Sequence, residues 1–327
     1  MRLLVTGGCG FIGSNFVRHI LQHYHTASVT NVDALTYAGN LASVEDLPAK
    51  FGDRYEFYRA DIANPAQMDV LMAKHQFYAV INFAAESHVD RSINSPQNFV
   101  HTNVVGTSVL LECARSHGIR RFVQISTDEV YGSLGPEGKF TEQSPIDPSS
   151  PYSASKAGAD FLALGYHKTY GMEVVVTRCS NNYGPYQYPE KLIPLMIMKA
   201  LRDEKLPVYG DGLNVRDWIH VEDHCSAIVA ALFEGKPGEV YNVGSDGERT
   251  NLEVVEGVLC HLGKPHSLIS YVEDRLGHDR RYAIDSSKIR ERLHWKPIHH
   301  FDKGLAETID WYVDNRAWWE PLLIRNE

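Results

Sequence analysis

Three glycines spaced three residues apart near the start of the chain constrain the fold more than any other feature. Gly7, Gly10 and Gly13 lie between an apolar run at residues 2–5 and a segment whose apolar residues recur with helical spacing. Glycines at this spacing allow a tight turn, close approach of the backbone to a phosphate group, and close packing of a helix on a sheet. The pattern therefore predicts a strand, a phosphate-binding turn and a helix that open a parallel sheet.

Short apolar runs alternate with helical segments over the first half of the chain. We expect strands at residues 2–5, 28–32, 55–60, 78–83, 121–125 and 174–177, and helices at residues 65–74, 95–117 and 151–170. Strands that alternate with helices require crossover connections, which are typical of a parallel sheet. The predicted fold class is therefore α/β, with a Rossmann-type doubly wound parallel sheet.

The pattern changes after about residue 180. Proline and glycine become frequent, and the expected strands are short and isolated, at residues 206–209, 218–220 and 240–243. Helical spacing returns at residues 251–262 and 301–315. We predict two domains: a dinucleotide-binding domain at residues 1–180, and a smaller mixed α/β substrate domain at residues 181–327 that covers the ligand.

Composition argues against several classes of partner. The formal net charge of −9 disfavours nucleic acid, because phosphate backbones require a basic surface. We see no cleavable apolar segment at the N-terminus and no apolar run long enough to span a membrane, so we expect a cytoplasmic protein without membrane contact. His19 and His23 have zinc-ligand spacing but no third positioned ligand, so we predict no metal site.

An acidic residue follows the glycines at the distance expected of a dinucleotide site. Asp33 lies 20 residues after Gly13, at the end of the second predicted strand. A carboxylate there accepts hydrogen bonds from the adenosine ribose and repels a 2′-phosphate, which favours NAD over NADP. The residues predicted to bind the cofactor from this motif and from nearby strand ends are Gly7, Gly10, Phe11, Ile12, Gly13, Asp33, Ala34, Leu35, Thr36, Asp61, Ile62, Ala84 and Ala85.

A tyrosine and a lysine share one face of a predicted helix. Tyr152 and Lys156 lie four residues apart. A lysine ammonium beside a phenol lowers the tyrosine pKa, so that Tyr152 can take a proton from a sugar hydroxyl. Residues 153–156 also fit the S-x-x-K pattern of serine β-lactamases, but the companion motifs of those enzymes are absent from the sequence. We predict that Tyr152 and Lys156 are catalytic and contact the cofactor.

Two adjacent carboxylates follow the strand predicted at residues 121–125. Thr127, Asp128 and Glu129 therefore lie at the ligand edge of the sheet. The acid pair exceeds what hydride transfer requires and suits an elimination, in which one group protonates a leaving hydroxyl and the other removes a proton from carbon. Such pairs also occur in solvated turns and at helix starts. The spacing alone leaves both interpretations open.

The chain resembles the extended short-chain dehydrogenase/reductase family over nearly its whole length. The segments that carry the resemblance are residues 6–13, 126–132, 152–156 and 216–220. Within the family the sequence is most similar to the nucleotide-sugar 4,6-dehydratases, on residues 84–92, 127–132, 180–185 and 189–194. The sugar epimerases of the family carry small or apolar residues where this chain has Asp128 and Glu129.

The resemblance implies dehydration of dTDP-glucose to dTDP-4-keto-6-deoxyglucose, with NAD as a recycled cofactor. It implies that Tyr152, with Thr127 and Lys156, deprotonates the C4 hydroxyl as hydride leaves. Glu129 then removes the C5 proton while Asp128 protonates the C6 hydroxyl, and hydride returns to C6. The alternatives are a UDP-glucose 4,6-dehydratase, a nucleotide-sugar 4-epimerase and a non-catalytic dinucleotide sensor.

The resemblance also implies further binding residues and an assembly. Thr102 and Asn182 complete the expected cofactor site. The expected substrate contacts are Ser87, Thr127, Asn181, Glu190, Lys191, Leu192, Pro207, Tyr209, Arg216, Asn251, Arg275 and His278. Asn251 precedes a predicted helix, so capping of that helix is an alternative role for it. The family forms homodimers through the helices equivalent to residues 95–117 and 151–170, so we expect a homodimer.

Overall fold

The computed structural model describes residues 1–274 and 278–324. The prediction for Arg275 therefore lies outside the described residues. The strands in chain order are β1 (Arg2–Thr6), β2 (Ser28–Asp33), β3 (Tyr55–Arg59), β4 (Ala79–Asn82), β5 (Arg121–Thr127), β6 (Glu173–Cys179), β7 (Asn181–Tyr183), β8 (Leu206–Tyr209), β9 (Val215–His220), β10 (Val240–Val243), β11 (Glu248–Thr250) and β12 (Ile269–Val272).

Helices connect most of these strands. They are α1 (Phe11–His23), α2 (Leu47–Phe51), α3 (Pro65–Lys74), α4 (Val89–Asn94), α5 (Pro96–Phe99), α6 (Thr107–Ser116), α7 (Pro151–Tyr170), α8 (Leu192–Leu201), α9 (Val221–Glu234), α10 (Asn251–His261), α11 (Ser287–Leu293), α12 (Phe301–Asp314) and α13 (Arg316–Ile324). The π-helical turn Val100–Gly106 joins α5 to α6, so the single helix predicted at residues 95–117 has an irregular centre. None of the helices in the described ranges combines the length and apolarity needed to cross a membrane.

Within the described residues, seven parallel strands form the main sheet, in the order β10-β6-β5-β4-β1-β2-β3. The strand order changes direction between β1 and β4, and open parallel sheets bind ligands at such a switch point. Two small sheets lie apart from it, one of β11, β9 and β7 and one of β12 and β8. The predicted α/β doubly wound fold class is confirmed.

Helices cover both faces of the main sheet, which explains why its strands are apolar along their length. α1 and α9 lie on one face, where Phe16 and Ile228 belong to one buried cluster. α3, α6 and α7 lie on the other face, where Met68, Leu110 and Ala163 belong to a second. A third buried cluster joins α8, α10 and α12 and forms the core of the smaller region.

The strand β10 differs from its predicted place. The sequence pattern puts residues 240–243 among isolated strands of the smaller domain, but β10 pairs in parallel with β6, with Val240 opposite Val176. α9 packs on α1 and also belongs with the main sheet. Residues 181–327 therefore contribute to both the main sheet and the smaller region. The division into two domains at residue 180 stays a prediction.

Candidate active site

A cavity of about 350 Å³ runs along the carboxyl ends of the main-sheet strands. The expected cofactor residues that line it are Gly7, Gly10, Phe11, Ile12, Gly13, Asp33, Ala34, Thr36, Asp61, Ile62, Ala84, Ala85, Thr102 and Asn182. The expected catalytic residues that line it are Thr127, Asp128, Glu129, Tyr152 and Lys156. The expected substrate residues that line it are Ser87, Asn181, Glu190, Lys191 and Leu192. The fold thus gathers segments from distant parts of the sequence along one wall.

Part of the expected site lies away from this cavity. In the described ranges, Leu35 does not line it, and neither does a set that we call the outer cluster, which consists of Pro207, Tyr209, Arg216, Asn251 and His278. Pro207 and Tyr209 belong to β8, and the Tyr209 ring meets the His278 ring edge-on with centroids 6.3 Å apart. His278 Nδ1 lies 2.6 Å from a carboxylate oxygen of Asp274.

Two members of the outer cluster are held by neighbouring groups. Arg216 is buried in β9, donates a hydrogen bond to the carbonyl oxygen of Asp279 at 2.9 Å, and stacks 4.4 Å from the ring centroid of Tyr282. Asn251 is the first residue of α10, but the side chain that caps this helix is that of Thr250. The capping role considered for Asn251 is therefore wrong.

The three glycines of the first turn differ in what a side chain at each position would contact. Gly7 has φ +70°, and a Cβ atom there would lie 2.6 Å from the amide nitrogen of Ala84. A Cβ on Gly13 would collide with the carbonyl oxygen of Gly7. A Cβ on Gly10 would meet only that same oxygen, at 3.3 Å, among the residues described. The conflict with the backbone is therefore mildest at Gly10, beside the N-terminus of α1, where a phosphate group can approach.

Asp33 ends β2 with its carboxylate held in place. One oxygen accepts from the amide of Cys9 at 2.9 Å and the other from the amide of Leu35 at 2.8 Å. Burial raises the Asp33 pKa above its usual value, and these two backbone hydrogen bonds oppose the rise. The remaining lone pairs can accept hydrogen bonds from a ribose. Leu35, with φ +56°, contributes through its amide to Asp33 rather than to the cavity wall.

Helix α7 carries Tyr152 and Lys156 into the cavity. Ser150 caps the helix through a reciprocal pair of hydrogen bonds with Ser153, which fixes the turn on which Tyr152 stands. Lys156 is buried and donates a hydrogen bond of 2.6 Å to the carbonyl oxygen of Ile125 in β5. The predicted helix and the shared face of the two residues therefore hold.

The pKa of Tyr152 lies well above its usual value, opposite to the direction predicted from Lys156. Burial is the main cause, and the nearby Glu129 adds to it, while a hydrogen bond with the Thr127 side chain lowers the pKa. Burial also lowers the pKa of Lys156. The prediction that Lys156 lowers the pKa of Tyr152 towards neutral pH is therefore wrong, because it considered charge and neglected desolvation.

The two adjacent acids occupy unequal environments. Thr127 ends β5 and its hydroxyl accepts a hydrogen bond from the Glu129 amide, so a short helical turn starts here with Thr127 as its cap. Asp128 is 1% exposed, and burial, with contributions from Glu129 and Asp217, raises its pKa well above the usual value. Its Oδ2 has no hydrogen-bond partner within residues 1–274 and 278–324. A protonated carboxyl beside a second carboxylate can serve as acid and base together.

Several cavity residues escaped the sequence analysis: Tyr37, Cys179, Gln187, Tyr188 and Trp218. The Tyr37 hydroxyl lies 3.2 Å from Ser87 Oγ, and the Arg91 guanidinium stacks 4.1 Å from the Tyr37 ring centroid. Glu190 approaches from the loop after β7, with Oε2 3.4 Å from His88 Nε2. Three loops thus meet over the cavity. Tyr37 directly follows the expected cofactor residue Thr36, and this position in the sequence could have indicated that Tyr37 also lines the cavity.

Comparison with known proteins agrees with this geometry. The family model described as GDP-mannose 4,6 dehydratase matches residues 4–308. The dTDP-glucose 4,6-dehydratase of Streptomyces niveus is 53% identical over 98% of this chain and 96% of its own length. The crystal structure of a dTDP-glucose 4,6-dehydratase from Streptomyces venezuelae with NAD bound has a TM-score of 0.95 and 49% identity, over 98% of this chain and all of the other (100%).

A structural neighbour with another activity lies further away in sequence. The UDP-glucose 4-epimerase of Thermotoga maritima superposes with a TM-score of 0.90 but is 28% identical, over 97% of this chain and 100% of its own. The fold is therefore shared across dehydratases and epimerases, while the high identity lies on the dehydratase side. The chain belongs to the GDP-mannose 4,6-dehydratase family, within the extended short-chain dehydrogenase/reductases.

Proposed function

We propose that this protein is an NAD-dependent dTDP-glucose 4,6-dehydratase that converts dTDP-glucose to dTDP-4-keto-6-deoxyglucose with loss of water. The observation that carries the proposal is the pairing of Tyr152 and Lys156 with the unequal acids Asp128 and Glu129 in one cavity. An epimerase has no use for a buried, protonated acid beside a carboxylate. The relatives of about half identity carry the same name.

The residues around the glycine turn fit a dinucleotide. The turn at Gly10 and the N-terminus of α1, which no side chain in the described ranges caps, suit a pyrophosphate, and Asp33 suits the adenosine ribose. Thr127, Tyr152 and Lys156 stand further along the sheet edge, where the nicotinamide half would lie. When bound, NAD⁺ supplies an acceptor for the C4 hydride and returns that hydride to C6.

Tyr152 acts as the base for the C4 hydroxyl. Because burial raises its pKa, the phenolate needs a cation for stabilisation, and Lys156, one helical turn away on α7 and lining the same cavity, is the expected one. A bound NAD⁺ would add positive charge to the same cavity, so we expect ionisation of Tyr152 to depend on a filled cofactor site. Thr127 stabilises the phenolate by its hydrogen bond. Tyr152 then releases the proton from the C4 hydroxyl to solvent, and Asp128 regains from solvent the proton that it gives to the departing water, so both groups are reset.

Asp128 and Glu129 carry out the elimination. The ketone at C4 acidifies the C5 proton, which Glu129 removes as the C6–oxygen bond breaks. Asp128, held protonated by burial, gives its proton to the departing hydroxyl, which leaves as water. Glu129 then returns a proton to C5 as C6 receives the hydride. The sugar therefore loses one water and undergoes no net redox change.

Mass spectrometry of dTDP-glucose incubated with the protein and NAD⁺ in heavy water tests the proposal. We expect the sugar to lose one water and to gain one carbon-bound deuterium, at C5. An unchanged mass with an altered configuration would overturn the proposal in favour of epimerisation. An unaltered dTDP-glucose together with a dehydrated UDP-glucose would replace the nucleotide but keep the chemistry.

We further propose a cytoplasmic homodimer formed through the helices around α5, α6 and α7. Val100, Val105 and Phe161 on these elements are 42–57% exposed, which is much apolar surface for one face. Light scattering should give twice the chain mass, and Phe161→Glu should give the monomer mass. Val70→Glu, at an exposed apolar position on α3, is the control that should leave the dimer intact. A monomeric wild-type protein would contradict the dimer.

A further inference from the structure

A fully buried histidine contacts the cavity wall from behind. His224 stands in the first turn of α9, is 0% exposed, and lies with Nδ1 2.8 Å from Oδ1 of Asn182, which lines the cavity. We propose that His224 is a positioning residue for the nicotinamide end of the cofactor, because it fixes the orientation of the Asn182 carboxamide. The inference rests on the proposed function, since it assigns a task to a residue of that same site.

The hydrogen bonds of Asn182 determine which way its carboxamide points. Its Nδ2 lies 2.9 Å from the carbonyl oxygen of Ser180 and 3.4 Å from Sγ of Cys179. A carbonyl oxygen can only accept, so the NH₂ group must face Ser180 and Oδ1 must face His224. Because Oδ1 is also only an acceptor, Nδ1 of His224 must carry the hydrogen. The backbone at Ser180 thus sets the tautomer of a histidine on another element.

Within the described residues, no other group competes for the proton on Nδ1 of His224. Burial lowers the pKa of His224 to about 3, so the ring is neutral near pH 7 and carries a single proton. Its Nε2 has no hydrogen-bond partner within the described part of the chain. No acceptor there competes for the proton, and the hydrogen bond to Asn182 is the polar contact that the ring retains.

The position of Asn182 along the sheet edge says which part of the cofactor is affected. The adenosine end would lie at Asp33, the last residue of β2, and the sheet order then runs through β1, β4 and β5 to β6. Asn182 lies in β7, just past the end of β6, and contacts Cys179, which is close enough to Tyr152 and Lys156 to influence their pKa values. Asn182 therefore lies near the reacting end. A carboxamide fixed at this end can hold the nicotinamide against the sugar for both hydride transfers.

Two substitutions of His224 separate the hydrogen bond from packing. His224→Leu removes the donor, while His224→Asn places a carboxamide N–H close to the position of Nδ1. We expect His224→Leu to weaken NAD⁺ binding about tenfold, the scale of one buried hydrogen bond, and to lower kcat with little change in KM for dTDP-glucose. His224→Asn should stay within about twofold of the wild type on the same scale. Cys225→Ala, at the next buried position of α9, is the packing control and should leave both quantities unchanged.

The readouts are NAD⁺ titration of the full chain and steady-state conversion of dTDP-glucose, with circular dichroism as the test of folding. Wild-type behaviour of folded His224→Leu would overturn the inference, as would equal losses in His224→Leu and His224→Asn.

Nitrogen NMR of the wild-type imidazole gives an independent answer if His224→Leu does not fold. We expect the Nδ1–H tautomer without titration from pH 5 to 8, consistent with the pKa of about 3. An Nε2–H tautomer or an imidazolium would overturn the inference. If the wild type leaves dTDP-glucose unchanged, the proposed function fails, but NAD⁺ titration and the tautomer still decide the role of His224.

Discussion

The cavity and the outer cluster are built in different ways. One wall of the cavity is formed by the ends of parallel strands in one sheet, so the register of that sheet places Asp33, Thr127 and Cys179 along a single edge. The outer cluster stands on β8, β9 and the start of α10, which belong to separate small sheets and a helix. Its members are placed by local contacts, such as Arg216 on Tyr282.

This difference bears on how each region can change. A strand end in a continuous sheet has neighbouring strands that hold its backbone in place. A substitution there should therefore change the reacting side chain without moving the backbone. Residues on small separate sheets can alter ligand contacts without moving the reacting groups. If the comparison is correct, substitutions in the cavity should change kcat, and those in the outer cluster should change KM.

The largest expected effect is that of Tyr152→Phe. Loss of the phenol removes the base for the C4 hydroxyl and should lower kcat about a thousandfold, the scale of general base catalysis. Conversion of dTDP-glucose measured by mass spectrometry is the test. NAD⁺ titration is the control, because the phenylalanine keeps the ring that packs against Phe99. A residual rate above one tenth of the wild type would mean that another group takes the proton.

Asp128→Asn should separate oxidation from elimination. Without the acid, C4 oxidation proceeds but water departs about a hundredfold more slowly, so NADH absorbance should build up during turnover. In the wild type, the raised pKa keeps Asp128 protonated, and elimination should slow as the pH rises through that pKa. Glu129→Gln tests the base in the same assay. An Asp128→Asn variant with normal turnover and no NADH build-up would contradict the assignment.

Gly10→Ala and Gly13→Ala form a matched pair within the glycine turn. At Gly13 the new methyl group collides with the Gly7 carbonyl, so unfolding free energy should fall by about 1–3 kcal/mol. At Gly10 the new methyl group would lie 3.3 Å from that same oxygen, a tight contact but not a collision, so stability should fall less than at Gly13 while NAD⁺ binding weakens roughly thirtyfold, the equivalent of about 2 kcal/mol. Thermal unfolding and NAD⁺ titration distinguish the two. Equal losses of stability would mean that Gly10 is required for packing rather than for a ligand.

Local patterns in the sequence predict the cavity well. The glycine spacing, the strand alternation and the four-residue interval between Tyr152 and Lys156 each depend on neighbours in the chain, so the turn, the sheet and the shared helix face follow from them. The helix at Pro151–Tyr170 has the predicted bounds because Pro151 and the cap at Ser150 mark its start.

Features set by tertiary burial could not be predicted in this way. α9 is buried on most sides between α1 and the sheet, so it lacks the two-faced pattern of a surface helix and was not predicted. The pairing of β10 with β6 could not be predicted from the sequence of the four residues of β10. The direction of the Tyr152 pKa depends on desolvation, which needs the folded structure. The alternative capping role for Asn251 is wrong because the cap lies one residue earlier, at Thr250, while its predicted substrate contact stays a prediction.

The smallest expected effect tests the outer cluster. Tyr209 is exposed, meets the His278 ring and is not among the residues that line the cavity, so its removal should act on substrate binding alone. We expect Tyr209→Ala to raise KM for dTDP-glucose about fivefold and to leave kcat unchanged, since the lost contact is the same in ground and transition states. Tyr271→Ala on the neighbouring β12 is the matched control, because Tyr271 is also an exposed tyrosine but is not an expected substrate contact. A fall in kcat for Tyr209→Ala would show that the outer cluster acts on the reacting groups, and the distinction between the two regions would then fail.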